Sequence, residues 1–440
     1  MEVEDQQHNR AFGEHTGITE DCRDEITCIK NNDPSTDELS MIRPDADEFT
    51  DLAWRLLGRY IANNTHLEAL DLADCGINDE KMALLFRELT SSTSMERLDI
   101  DHNEFGVVGV RSIVPLLQNS PNLTILYLCG NDRINSECFD ILVSSLHDKE
   151  VWEIDVGHCN ISDISALETY SLPNLQILNL DRNNIGREGC IILSNRLQQE
   201  GSTLSNLNLT HTGMGDDDAE LLATSLENNI KLNTLDLRGN SIAERGERAF
   251  LELLVDVSSV QSTYNSNHTL TKLWLPRAET TTMISHIDSA VQLNKLRYSS
   301  HAAGRGKVIE YQLDSQTREE MCRLQGIECS AEDNMLADVE PKLLPNILIL
   351  IGREHGQSEL YTALLPVTPD LLSFIDRKAM IIDEKKKVQV QMKELSRQLA
   401  ALADKDDQLN SRLASIELGD SKEAVGDEGK EGGDKRQRII

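Results

Sequence analysis

Three groups of residues have types and spacings that suit chemistry. Asp71, Asp99, Asp155 and Asp236 each follow a leucine or isoleucine and recur at intervals of about 28 residues or multiples of it. Carboxylates in such an array offer charge-assisted hydrogen bonds to lysine or arginine. His355, Ser358 and Glu359 bring a base, a hydroxyl and an acid into one short stretch. Ser358, however, precedes an apolar helical run and reads as its cap, and a polar triplet without further pattern defines no catalytic constellation. Gly304-Arg305-Gly306-Lys307 falls short of a phosphate-binding loop, and the chain has neither a serine elbow nor a paired-histidine zinc motif. The nine cysteines are scattered, and neither Cys22 with Cys28 nor Cys322 with Cys329 has the close pairing of a metal or redox site. The chain is therefore expected to be no enzyme and to hold no metal or cofactor.

Composition narrows the partner. Hydrophobic residues make up 39% of 440 residues, enough for a sizeable core, and the formal net charge is -32. Both a nucleic-acid backbone and an anionic membrane repel such a chain at long range, so the expected partner is a basic protein; plain solubility explains the acidity equally well. The opening residues lack the basic region and apolar run of a secretory signal, and no stretch approaches membrane-spanning length, so a cytoplasmic or nuclear location with reduced thiols is expected.

The elements that position the aspartates follow from a repeat, L-x-x-L-x-L-x-x-N/C-x-I/L. It begins with Leu67, Leu70, Leu72, Cys75, Ile77 and continues with Met95, Leu98, Ile100, Asn103, Phe105. Leu123, Leu126, Leu128, Asn131 follow, with a one-residue slip to Ile134; then Val151, Ile154, Val156, Cys159, Ile161 and Leu175, Leu178, Leu180, Asn183, Ile185. Leu204, Leu207, Leu209, Thr212, Met214 and Leu232, Leu235, Leu237, Asn240, Ile242 make the sixth and seventh units, and an eighth keeps only Leu270, Leu273 and Leu275. The leucines predict short strands stacked unit on unit, with Asn or Cys satisfying backbone groups where the chain turns inward.

Asn183-x-Ile185 before Gly189, Asn240-x-Ile242 before Gly246, and Asn103-x-Phe105 before Gly109 resemble the long, helix-bearing leucine-rich repeats of ribonuclease inhibitor. The resemblance covers about half of the chain and implies an α/β solenoid, a horseshoe of about eight repeats over residues 46–276. Phe49, Leu52, Leu56 and Leu57 at helical spacing predict an N-terminal cap helix. The fourth unit is short and holds Pro173, so its outer helix is expected to be abbreviated, and residues 258–267 read as an inserted loop. The strings Val308-Ile-Glu-Tyr-Gln-Leu313, Cys322-Arg-Leu-Gln-Gly326 and Ile351-Gly-Arg-Glu-His-Gly-Gln-Ser-Glu-Leu-Tyr361 resemble an expanded microalgal set of such proteins, which implies no activity.

Strand alternation aims the residues between the leucines into the cavity. The central column is then Asp71, Asp99, Tyr127, Asp155, Asn179, Asn208, Asp236 and Trp274, with Asp101, Asp181 and Arg238 in the next. His102, His158, Arg182 and His211 fall at the strand ends. The candidate protein-binding set is thus Asp71, Asp99, Asp101, Tyr127, Asp155, Asp181, Asp236, Arg238 and Trp274; Asp after Leu is also simply common in these repeats, where it aids solubility.

Residues 277–376 are expected to form a helical region that closes the horseshoe. Over 377–418 a seven-residue spacing links Ile381, Val388, Leu395, Leu402, Leu409 and Ile416, with Met392, Leu399 and Leu413 beside it, which predicts a coiled coil for self-association or a long helix packed on its own domain. Residues 1–45 and 419–440 are polar and charged and are expected to be disordered; Lys435-Arg436-Gln-Arg438 reads as a nuclear-import run or a solubilising end. The leading function is a binding scaffold. The alternative from another class is a GTPase activator similar to the Ran-activating family, which also joins 28-residue repeats to acidic segments.

Overall fold

The computed structural model describes residues 2–12, 20–41, 49–276, 281–296, 300–313 and 315–327, all within one compact unit that spans residues 1–340. The predicted coiled coil, the polar C-terminal tail and the His355, Ser358, Glu359 group lie outside the described residues.

A single leucine explains each strand. In β2 (Ala69–Asp71), β3 (Arg97–Asp99), β4 (Ile125–Tyr127), β5 (Glu153–Asp155), β6 (Ile177–Asn179), β7 (Asn206–Asn208), β8 (Thr234–Asp236) and β9 (Lys272–Trp274) the middle residue points into the core and is almost fully buried. Its two neighbours point to the opposite, concave face. The strands pair in parallel in chain order, so equivalent residues stand beside one another: Asp71 with Asp99, Asp99 with Tyr127, Tyr127 with Asp155, and on to Asp236 with Trp274. Each buried leucine contributes roughly 1.5–3 kcal/mol, a gain available only with a neighbouring unit on either side.

The turn after each strand is held from the inside. The Asn103 amide nitrogen donates to the carbonyls of Leu72, Ile100 and Asp101, all at 3.0 Å, while its oxygen accepts from the Ile77 amide at 2.9 Å. Asn131, Asn183 and Asn240 bond in the same way to two repeats at once. Where the position is Cys75, Cys159 or Thr212, the shorter side chain still reaches a carbonyl. The residue just before it takes a left-handed conformation in every full unit: Asp74, His102, Gly130, His158, Arg182, His211 and Gly239 have φ between 48° and 72°. At Gly130 a side chain would also collide with the His102 ring, which lies over it from the preceding unit.

Helices fill the return path: α4 (Asp79–Leu85), α5 (Val107–Asn119), α6 (Ser136–Ser145), α7 (Ala166–Thr169), α8 (Gly186–Gln198), α9 (Asp216–Ser225) and α10 (Glu244–Leu254). As the short fourth unit predicts, α7 has only 4 residues. One unit starts the helix of the next: Oδ1 of Asp79 accepts from the amides of Gly106 and Gly109 at 2.8 and 2.7 Å, and Oδ1 of Asp216 from those of Ala243 and Gly246 at 2.7 and 3.0 Å.

The N-terminal end corrects the sequence reading. Residues 1–45 were expected to lack structure, yet they contain α1 (Glu2–Phe12), α2 (Glu20–Lys30) and β1 (Glu38–Ser40), ahead of the predicted cap helix α3 (Asp51–Asn63). β1 pairs in register with β2, so the sheet has nine strands among the described residues and starts before residue 46. The reason is apolar burial hidden in a polar sequence: Ala11, Phe12, Cys22, Ile26, Ile29 and Leu39 are buried, and Phe12 joins Phe49 and Tyr60 in an aromatic cluster. A second correction falls at residues 258–267, where α11 (Val260–Asn265) replaces the expected loop; Thr263 is fully buried and Ser259 caps the helix.

Beyond β9 the expected helical region holds α12 (Thr282–Leu296), α13 (Ser300–Val308), a π-helical turn (Ile309–Leu313) and α14 (Ser315–Gln325). Gln325 and Gln312 reach back to the carbonyls of Val255 and Val257, which ties this layer to the end of α10.

Asn103→Ala removes one amide that serves four backbone groups of two units, taking their side-chain partner from the buried Leu72 carbonyl and Ile77 amide while Ile100 and Asp101 keep a second donor. We expect a loss of about 2 kcal/mol or more in urea unfolding, from the cost of orphaned buried polar groups. An unchanged midpoint would show that the turns do not depend on the amide.

Candidate protein-binding surface

The concave face is built from the two outward residues of each strand and the residue two places further on. All nine residues of the candidate binding set fall there, the column running Asp71, Asp99, Tyr127, Asp155, Asn179, Asn208, Asp236, Trp274 as register requires. Ser40 of β1 extends it by one position, and its hydroxyl donates to Oδ2 of Asp71 at 3.1 Å.

The aspartates and asparagines of this column share a local duty. Asp71, Asp99, Asp155, Asn179, Asn208 and Asp236 each accept, through Oδ1, the backbone amide two residues on, at 2.9–3.1 Å. This bond turns the chain out of the strand and accounts for the residue type. It does not account for the charge, because Asn179 and Asn208 make the bond without one.

Two ends of the face differ in how charge is handled. At β8 and β9 it is neutralised internally: Asp236 is 5% exposed and takes a forked contact from Arg238, whose Nε lies 2.9 and 3.0 Å from its two oxygens. The Arg238 guanidinium also lies over the Trp274 ring, 5.4 Å from its centroid. Asp236 was grouped with the acids that face a partner; the structure corrects this, because its carboxylate is buried and already paired.

At β2 to β5 the acids lack such relief. Among the described residues no cationic group lies within 4 Å of Asp71, Asp99, Asp101 or Asp155, although elsewhere Arg133 pairs with Asp79 and Arg187 with Asp218. Asp101 accepts from the Cys129 amide at 2.5 Å, and its carboxyl is pushed up to about 8, first by burial and then by the charges of Asp99, Asp155 and Asp71. Burial likewise raises Asp99, Asp155 and Glu153. Asp155 also takes the Asn179 amide at 2.8 Å. Asp181 lies over Gly157, where any side chain would displace its carboxylate, and has Arg182 at 3.9 Å. Tyr127 is pushed up to about 12 by burial and the neighbouring Glu153.

Sequence reasoning found the central column but missed the inner one, in which Arg97 stands beside Ile125, Ile125 beside Glu153 and Glu153 beside Ile177, all half-buried on the same face. The alternation that marked Tyr127 marks Ile125 equally. Of the strand-end residues, His102 is exposed and lies over Gly130, His211 lies over Gly239, and His158 approaches Asp132 at 3.5 Å. The described residues contain no group of three or more His, Cys, Asp or Glu side chains able to hold a metal ion, and no helix among them is long and apolar enough to cross a membrane. The eight described cysteines are free thiols; burial pushes Cys75, Cys159 and Cys190 up to about 12.

Stacked parallel strands, helices on the return path and an asparagine, cysteine or threonine side chain closing each turn define a leucine-rich-repeat protein of the ribonuclease-inhibitor type. The Leucine Rich repeat family model matches residues 63–80, 91–114 and 171–194. The chain is 29% identical over 210 residues to NACHT, LRR and PYD domains-containing protein 5 of Mus musculus, covering 46% of this chain and 18% of that protein. It is 26% identical over 202 residues to Ribonuclease inhibitor of Sus scrofa, covering 46% and 39%. A third relative, Protein phosphatase 1 regulatory subunit 37 homolog of Caenorhabditis briggsae, is 27% identical over 166 residues, covering 35% and 18%. The chain spans less than two fifths of the length of each.

The raised Asp101 pKa fixes a sign. The folded chain holds this proton more tightly than the unfolded chain, so its contribution to stability is complete below about pH 4 and is lost as the pH rises through about 8. Urea unfolding of the full chain is expected to show a higher midpoint at pH 5 than at pH 8, with Asp101→Asn narrowing the gap; a parent midpoint that does not fall between those values would contradict the assignment.

Proposed function

We propose that this chain is a protein-binding scaffold whose concave face captures a basic partner through the acids of β2 to β5. One observation carries the reading: Asp71 and Asp99 stand half-buried side by side, with Asp155 across Tyr127, and among the described residues no cation lies within 4 Å of them, in a chain that pairs comparable acids elsewhere. Holding like charges together costs folding free energy, and an incoming lysine or arginine relieves that cost while forming charge-assisted hydrogen bonds. At Asp99 the charge has no structural duty that asparagine does not perform as well. Relatives named for inhibiting a ribonuclease and for regulating a phosphatase fit a role in holding another protein.

The test uses that equivalence. Asp99→Asn keeps the turn-forming bond and removes only charge, and Asp155→Asn keeps that bond but gives up the acceptor for the Asn179 amide, so thermal melts of the full chain carrying both must match the parent before capture is compared. Its capture of basic protein from native lysate is expected to fall about tenfold or more relative to the parent at moderate salt, with the parent's own capture weakening as salt rises. Undiminished capture by the double variant would refute the reading.

The second half of the proposal is assembly through Ile381, Val388, Met392, Leu395, Leu399, Leu402, Leu409, Leu413 and Ile416, whose spacing suits a two-stranded seam. Light scattering of the full chain is expected to give a multiple of the 49.3 kDa chain mass, reduced to one chain by Leu395→Asp with Leu402→Asp. A parent of single-chain mass at micromolar concentration would rule assembly out.

A further inference from the structure

The centre of the concave face is not uniformly acidic. β4 and the residue two places beyond it present Ile125, Tyr127 and Cys129 in a line, each half-buried and partly open to solvent. β3 brings Asp99 and Asp101 to one side of this line, with Arg97, ion-paired to Glu38, beside Ile125, and β5 brings Glu153 and Asp155 to the other. The arrangement is an apolar stripe one strand wide between two acidic rails. With strands about 4.8 Å apart, the rails stand about 10 Å from each other. Ile177 lies one strand beyond Glu153 and adds a second apolar spot.

Both parts restrict what lies on the stripe. An open apolar stripe gains from aliphatic cover, and rails on both sides gain from cations on both sides of that cover. Lysine and arginine supply some of each, because their methylene stems lie on apolar surface while their heads reach out to charge. The chain shows the same chemistry satisfied from within at its other end, where Arg238 bridges the Asp236 carboxylate and the Trp274 ring.

The spacing selects the backbone. Side chains one turn apart on a helix are separated by about 5.4 Å along its axis, so two turns span about 11 Å. Same-face side chains of an extended segment recur every 6.6 Å or so, and two steps span about 13 Å. A helix lying across the strands therefore matches rail, stripe and rail better than an extended chain does. Resting on the reading of this face as a binding surface, we infer that the stripe on β4 takes an amphipathic helix of the partner, with an aliphatic residue over Ile125 and Tyr127 and lysine or arginine one turn to either side.

Two labelled peptides of about 18 residues and identical composition test this by fluorescence anisotropy with the full chain. In one, lysines at i and i+7 flank leucines at i+3 and i+4; in the other the order is shuffled to abolish the period. The patterned peptide is expected to bind at least tenfold more tightly. Ile125→Thr, a β-branched change that suits a strand, and Tyr127→Ser should each weaken it about fivefold and leave the shuffled peptide unaffected, with thermal melts matching the parent. Equal binding of the two peptides overturns the helix inference; if Asp99→Asn with Asp155→Asn then weakens both alike, the acidic-face reading still stands. A preference that survives Ile125→Thr and Tyr127→Ser overturns the assignment to β4. Binding of neither peptide overturns the inference as well, while the lysate capture decides the wider reading separately.

Discussion

The fold rests on a side-chain amide used as a fixed part of the backbone. Each unit must leave its strand, turn sharply and enter the return path, and the turn leaves carbonyls pointing inward where water cannot reach them. Asn103, Asn131, Asn183 and Asn240 settle this by donating to carbonyls of their own unit and the preceding one, and their oxygens take an amide in return. The same bonds thus close a turn and lock one unit to the next. A stack made this way has little freedom of register, so the residues on either side of each core leucine in its strand are delivered to the same concave face.

That regularity separates geometry from charge on the concave side. Asp and Asn make the same turn-forming bond. What varies along the sheet is the charge the bond leaves over. At β8 it is absorbed by Arg238, and at β6 and β7 it is absent. Across β2 to β5 it accumulates, and burial together with these neighbouring charges makes Asp101 hold its proton near neutral pH. The surface therefore owes its shape to the repeat and its chemical character to choices the repeat leaves open.

The same separation explains how much could be read from sequence. Eight strands, their register and the abbreviated fourth helix follow from leucine spacing, because burial of the middle strand residue is the dominant local requirement. The ninth strand was missed although Leu39 and Met41 precede Leu70 and Leu72 by the same interval, because one such pair in a polar surrounding carries no visible repeat. The helices before it were hidden for a related reason: Phe12, Ile26 and Ile29 are few among charged neighbours, yet all three are buried, Phe12 against Phe49 and Tyr60. Asp236 was read correctly for direction and wrongly for availability. Whether a carboxylate meets a partner or its neighbour depends on where a long arginine side chain settles, which no spacing rule contains.

The four-residue helix α7 gives the solenoid an uneven back. The sheet runs unbroken from β1 to β9, but the outer layer thins between α6 and α8, so apolar contact from helix to helix is least where the strands still pair fully. In a stack held by nearest-neighbour terms, such a seam divides the chain into two cooperative blocks, β1 to β5 and β6 to β9. Among the described residues, Asp71, Asp99, Asp101 and Asp155, the concave-face acids with no cation within 4 Å, belong to the first block and the Arg238 bridge to the second. Local opening at the seam would then loosen one half while the other keeps its form, so the working surface and the end that closes the horseshoe need not breathe together.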